Sequence, residues 1–172
     1  MQKIIIFGNS GSGKSTLANK LAIDEGLAHL DLDTLAWLAT SPPKRKSLLD
    51  STLEIYAFTQ QHESWVIEGC YSDLLEPLTI NPEGGLLKDK KKVLANEIIF
   101  LDLPIETCII HAKNRPWEPH KYPSKQDQDN NLPMLIDWIK AYETRTDTFS
   151  KLAHQKLYNR FMGKKTIIHK PD

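Results

Sequence analysis

The stretch Ile4-Ile5-Ile6-Phe7-Gly8-Asn9-Ser10-Gly11-Ser12-Gly13-Lys14-Ser15-Thr16 decides how this chain is read. Its first four residues are β-branched or aromatic and stop at a glycine, the pattern of a short buried strand. Gly8 to Ser15 then fits G-x-x-x-x-G-K-[ST] at every fixed position. Beyond it, Leu17, Ala18, Leu21 and Ala22 line one face of a helix expected from Lys14 to Glu25, with Gly26 as its stop. Strand, glycine-rich loop and helix form the context in which this motif binds phosphate. Glycines admit backbone conformations that a side chain blocks. Consecutive N–H groups then face one concavity and hold phosphate oxygens, and the helix adds the positive end of its dipole. On this basis Gly8, Asn9, Ser10, Gly11, Ser12, Gly13, Lys14, Ser15 and Thr16 are expected to cradle ATP or another nucleoside triphosphate. Lys14 would reach the β- and γ-phosphates, Ser15 would ligate Mg²⁺, and Thr16 would meet the α-phosphate. The competing reading is a glycine-rich turn that binds nothing.

Working outward, the chain has 172 residues, 40% of them hydrophobic, which predicts one domain over residues 1–172 with a real core. Twenty-two basic and 22 acidic residues cancel to a formal net charge of zero, so a dedicated nucleic-acid binder, which carries a basic excess, is disfavoured. The two cysteines, Cys70 and Cys108, form neither a zinc spacing nor a disulfide framework and read as buried free thiols. No apolar run approaches the roughly 18 residues of a membrane span, and the N-terminal apolar run is too short for a signal peptide. A cytoplasmic location is the expectation.

Further strands are expected at Leu27–Leu32, Trp65–Ile67, Glu97–Asp102 and Thr166–Ile168. Helices are expected from about Ser47 to His62, Ile105 to Asn114 and Thr146 to Phe161, with another marked by Leu132, Leu135, Ile136 and Ile139. Ser41-Pro42-Pro43 breaks the chain, and Pro77–Lys92, with Gly84-Gly85 and Lys88, Lys90, Lys91 and Lys92, reads as irregular surface. Arg115–Asp129 holds three prolines and reads as a long loop of the kind that serves as a lid. Strands alternating with helices predict an α/β fold with a parallel sheet covered on both faces.

Asp31 and Asp33 form a second constellation. At the carboxyl end of a strand, alternate residues face one side and open on the ligand crevice. Two carboxylates there could hold Mg²⁺ through water and orient an acceptor hydroxyl; otherwise one of them caps the next helix. Glu68, closing the third strand, is in the metal's outer shell, near the acceptor, or a solvent-facing carboxylate. Asp102 ends an apolar run in the Walker B manner, but a structural role is favoured. Phosphoryl transfer also needs cations around the moving group. Arg115, which opens the long loop, and Arg145 suit this by their planar forks, against the alternative of a solvated surface. Lys113, His120, Lys121 and Lys125 read as surface, His154 as unremarkable, and Trp37, Trp65 and Trp138 as core, with Trp37 a candidate border of the acceptor pocket.

Gly8 to Thr16, His29-Leu30-Asp31-Leu32-Asp33 with Trp37, Trp65 to Tyr71, Ile99 to Pro104 and Arg145-Thr146-Asp147 together resemble the nucleoside- and shikimate-kinase branch of P-loop proteins. The likeness is greatest to the adenylate-kinase-like proteins called DNA topology modulation proteins. That resemblance covers nearly the whole chain. It implies a three-layer P-loop fold with a five-stranded parallel sheet of order 2-3-1-4-5, an acceptor-binding helical segment at about 38–64 and a short lid at about 115–130. By position it assigns Asp31 to the metal shell, Asp33 to the acceptor, and Arg115 and Arg145 to the transferred group. The glutamate at Glu68 departs from the aspartate of adenylate kinases, and the lid lacks their several arginines. The function implied is ATP- and Mg²⁺-dependent phosphoryl transfer to a small molecule: a nucleotide, a nucleoside or a hydroxy acid. A nucleotide-driven switch or ATPase associated with DNA is the alternative. A monomer or homodimer is expected.

Overall fold

A computed structural model describes residues 1–40, 43–80, 94–119 and 121–171. The elements run β1 (Lys3–Gly8), α1 (Lys14–Glu25), β2 (Ala28–Asp31), β3 (Trp37–Leu38), β4 (Lys44–Arg45), α2 (Leu48–Gln61), β5 (Trp65–Gly69), α3 (Ser72–Thr79), β6 (Glu97–Leu101), α4 (Ile105–Lys113), α5 (Lys125–Lys140), α6 (Lys151–Arg160) and β7 (Lys164–Ile168). Five strands form one parallel sheet in the order β2-β5-β1-β6-β7. Counting only these strands, the order is 2-3-1-4-5, as expected. β3 and β4 pair separately as a small antiparallel hairpin, which the sequence reading missed.

The central strand explains the layering. Side chains of a strand alternate between faces, so Ile5 and Phe7 join one core with Trp65, Ile67, Ile98, Phe100 and Leu157. Ile4 and Ile6 join the other, with Val66, Ile99 and Ala18 of α1. Each of these β1 side chains is at most 3% exposed, and each contributes about 1.5–3 kcal/mol of apolar burial. Phe7 also stacks on Phe100 with ring centroids 5.0 Å apart. A third cluster, Leu103, Cys108, Ala112 and Ile139, joins α4 to α5.

Helix starts follow local chemistry. Ser47, Ser124 and Ser150 each accept the N–H three residues on, from Asp50, Asp127 and Ala153. These caps revise two expectations. Ser124 starts α5 at Lys125, so the long loop ends earlier than Asp129. In the 146–161 segment, Asp147 Oδ1 accepts the Phe149 N–H at 3.0 Å, which holds a turn and delays α6 to Lys151. Pro77 lies inside α3 rather than in irregular chain. α3 continues to Thr79, and residues 81–92 of that expected loop, including the lysine cluster, lie outside the described residues, as do Ser41-Pro42 and His120. Both cysteines are free. Among the described residues no helix is long and apolar enough to cross a membrane.

Candidate active site

The loop Gly8–Lys14 joins β1 to α1 and is held from three sides. Gly8 (φ 150°) and Gly11 (φ 75°) lie at positive φ. A Cβ on Gly8 would sit 2.4 Å from the Leu101 carbonyl oxygen, and one on Gly11 2.3 Å from that of Cys108. Both positions therefore exclude any side chain, because the loop backbone presses on β6 and α4. His111 donates from Nδ1 to the Gly11 carbonyl at 2.8 Å. The Asn9 side chain, 3% exposed, donates to the Ile139 carbonyl at 3.1 Å and ties the loop to the end of α5. The Asn9 carbonyl accepts from Lys14 Nζ at 2.9 Å and from the Ser12 N–H at 3.2 Å. Lys14 thus folds back over the loop with its ammonium fixed at the rim. Among the described residues no side chain caps the first turn of α1, and the buried Ser12 hydroxyl has no hydrogen-bond partner. Such uncommitted donors at a helix start suit an anion.

Across from this loop, β2 ends at Asp31, and Asp33 lies in a single 3-10 turn, Leu32–Thr34. The expected alternation of the two carboxylates along one strand is therefore wrong. Asp31 Oδ1 accepts the Asp33 N–H at 2.9 Å and so caps the turn, and the turn brings the carboxylates together by another route. Lys121, from the loop between α4 and α5, donates to Asp33 Oδ2 at 3.1 Å and stands 3.6 Å from Asp31 Oδ2 and from Glu118 Oε1. Asp33 Oδ1 accepts a 2.6 Å hydrogen bond from the Tyr71 hydroxyl, which itself accepts from Trp37 Nε1 at 2.8 Å.

The electrostatics follow from these contacts. Burial raises the Asp33 carboxyl, but Lys121, the Tyr71 hydroxyl and Lys14 outweigh it and hold the group below its ordinary value. Asp31 is raised, by burial first and then by the charges of Glu68 and Asp33. Tyr71 is driven far up by burial and by Asp33, so its hydroxyl stays a donor. Lys121 is raised despite burial by the carboxylates around it and stays charged. Burial pushes Cys70 to about 12 and Cys108 to about 11, which leaves no thiolate nucleophile at neutral pH.

Arg115 pairs with Glu118 at 3.1 Å. Arg145 donates from Nε and Nη2 to Asp147 Oδ2 at 3.1 and 2.7 Å, and its guanidinium lies 3.5 Å from the centroid of the Trp138 ring. Glu68 is buried at the end of β5, beside Asp31 in register, with His29 Nε2 3.8 Å from its Oε1; it does not face solvent. Asp102 follows Leu101, which pairs with Gly8, and its carboxylate is paired with Lys151 at 3.2 Å. Trp65 is core, whereas Trp37 is 39% exposed beside Tyr71 and is not. His154 is fully buried, accepts the Tyr142 hydroxyl at Nδ1 (2.8 Å) and donates from Nε2 to the Cys70 carbonyl (2.9 Å).

Lys121 and Tyr71 were missed as candidate site residues. They join the carboxylates through contacts spanning 88 and 38 residues of chain, and no local pattern announces them.

No protein-family model and no curated protein matches the chain in sequence. Solved structures do match in shape. A deoxyadenosine kinase from M. mycoides with bound dATP superposes with a TM-score of 0.52 at 12% identity, over 98% of this chain and 91% of that one. An unliganded sugar kinase from a Janibacter species gives 0.50 at 16% identity, over 99% and 87%. At such identities the likeness is one of fold: this chain has the P-loop kinase architecture.

Proposed function

We propose that this protein transfers the γ-phosphoryl group of a magnesium nucleoside triphosphate, ATP in the simplest case, to a small-molecule acceptor. The observation that carries this is that the parallel strands β1, β5 and β2 put two features at the same carboxyl edge of the sheet: a loop of phosphate-binding pattern, with Lys14 fixed on the Asn9 carbonyl, and the Asp31–Asp33 turn. Gly8 to Thr16 hold the phosphates, and Lys14 neutralises the terminal ones. The residues present fit a divalent cation: Asp31 and Asp33 already share one positive group, Lys121, at 3.6 and 3.1 Å. Ser15 and Asp31 would hold Mg²⁺, which would supply positive charge to offset that of the phosphates.

Asp33 orients the acceptor. A carboxylate offers about four acceptor sites, and the bonds from Tyr71 and Lys121 leave room for a substrate hydroxyl. The acceptor oxygen bonds to the γ-phosphorus as the bond to the β–γ bridging oxygen breaks. The nucleoside diphosphate leaves with that electron pair, and Asp33 takes the hydroxyl proton. Residues 38–64 form the acceptor side and 115–130 the lid. Lys121 is, among the described residues, the lid cation that reaches the carboxylates, and Arg115 and Arg145 join it by exchanging Glu118 and Asp147 for phosphate oxygens.

A coupled ADP-release screen over nucleotides, nucleosides and hydroxy acids tests this. Turnover that depends on one acceptor and is lost in Lys14→Ala supports it. ATP hydrolysis indifferent to every acceptor, or DNA affinity persisting at ~150 mM salt, would refute it in favour of a switch or ATPase.

A further inference from the structure

Arg45 stands one tyrosine ring away from Asp33. Its guanidinium carbon is 4.8 Å from the centroid of the Tyr71 ring, whose hydroxyl donates to Asp33. The Phe149 and Trp37 rings lie 5.3 and 6.0 Å away. Three aromatic rings therefore surround a cation, an apolar setting in which its charge is strongly felt. Its internal counter-ion is a poor match. A single nitrogen, Nη2, reaches both Asp73 oxygens at 3.3 Å, whereas charge-assisted contacts close to about 2.7–2.9 Å. Asp73 Oδ1 also accepts the Leu74 N–H at 2.9 Å, which divides its attention. Arg45 Nε is buried and has no hydrogen-bond partner among the described residues. Arg145 is the opposite case: its Nε and Nη2 are both satisfied by Asp147, and its guanidinium carbon lies over the Trp138 ring at 3.5 Å. A planar fork with an unmet buried N–H is costly to keep, and an oxyanion resolves it.

We infer that Arg45 takes up an anionic group of the phosphoryl acceptor, so that the acceptor class is phosphorylated or carboxylated molecules rather than neutral nucleosides or polyols. This rests on the phosphoryl-transfer reading above. The hairpin β3–β4 serves as the specificity element, since it carries both Trp37 and Arg45. The anion sits over the aromatic cluster, and the oxygen to be phosphorylated sits at the Tyr71 hydroxyl end, beside Asp33. A neutral acceptor of the same shape leaves the Arg45 fork unmet, and a site with an unmet buried donor discriminates strongly.

The test uses charge-matched pairs: nucleoside 5′-monophosphates against their nucleosides, and sugar acids against the corresponding polyols. The protein is first saturated with Mg²⁺ and the non-hydrolysable analogue adenylyl imidodiphosphate, and binding of each pair is measured by calorimetry, followed by kcat/KM with ATP. An anionic member preferred at least 100-fold over its neutral partner is the expected result. The two series tell a phosphate from a carboxylate as the preferred anion. Arg45→Ala should collapse that ratio to within a few fold, and Arg45→Lys should restore part of it; circular dichroism checks their folding. Equal binding of charged and neutral partners by the unaltered protein, no binding by any anionic member, or a ratio unchanged in folded Arg45→Ala each overturns the inference. Failure of the magnesium nucleotide to bind at the first step overturns instead the phosphoryl-transfer reading beneath it.

Discussion

His154 makes acid sensitivity a test of how the core supports the site. Burial chiefly, aided by the nearby Lys14 charge, pushes this imidazole down to about 4 from its ordinary 6.5, although its bond to the Cys70 carbonyl favours the charged form. The folded ring is neutral, with its proton on Nε2. Below pH 6.5 the unfolded chain gains a proton that the native ring refuses, so acid favours unfolding. The stability contribution is intact above the free value and is lost as pH falls toward 4. The separation of the two values corresponds to about 3 kcal/mol in full, of which about 2 kcal/mol disappears between pH 7 and pH 5. Urea unfolding followed by tryptophan emission at these pH values measures it. His154→Gln keeps a donor for the Cys70 carbonyl but cannot titrate, and its curve subtracts every other ionisable group. With a denaturant slope near ~2 kcal/mol/M, the midpoint of the native protein should fall about 1 M further than that of the variant. Identical pH dependence in both proteins would mean that His154 is not buried neutral between Tyr142 and Cys70.

Three further outcomes follow from the site. Lys14→Ala should lower kcat by about 10²–10³-fold with an unchanged circular dichroism spectrum, the scale expected when one charge-stabilising donor is removed; unaltered turnover refutes its role. Lys121→Gln removes the cation that most opposes burial at Asp33, so the Asp33 carboxyl rises and the acid limb of the kcat/KM profile should move to higher pH. An unmoved limb would show that this contact does not govern the active carboxylate. Gly11→Ala drives a Cβ to 2.3 Å from the Cys108 carbonyl oxygen at a φ of 75°. It should destabilise the fold by about 1–3 kcal/mol or more and abolish nucleotide binding, read by thermal unfolding with and without Mg-ATP; a normal ligand-induced rise in Tm contradicts it.

The strand–glycine loop–helix unit and the parallel sheet were legible because their causes are local, whereas the strand order 2-3-1-4-5 came from the family resemblance. An apolar run ended by Gly8 has few alternatives to a buried strand, and strands alternating with helices have few alternatives to a parallel sheet. Boundaries slipped where a side chain captured a backbone group: Ser124 opened α5 early, and Asp147 postponed α6. The pairing of Asp31 with Asp33 was anticipated from strand alternation, yet it arises from a capped 3-10 turn.

Sequence alone determined the parallel α/β layering and the place of the glycine-rich loop between β1 and α1, since periodicity and glycine placement act over a few residues. Only the tertiary structure decided which charges meet. Lys121 and Asp33 are 88 residues apart, and Arg45 reaches Tyr71 and Phe149 only once hairpin, strand end and turn have converged. A Coulomb interaction depends on through-space distance and on what excludes water between the groups, and neither quantity is written in the order of residues along the chain.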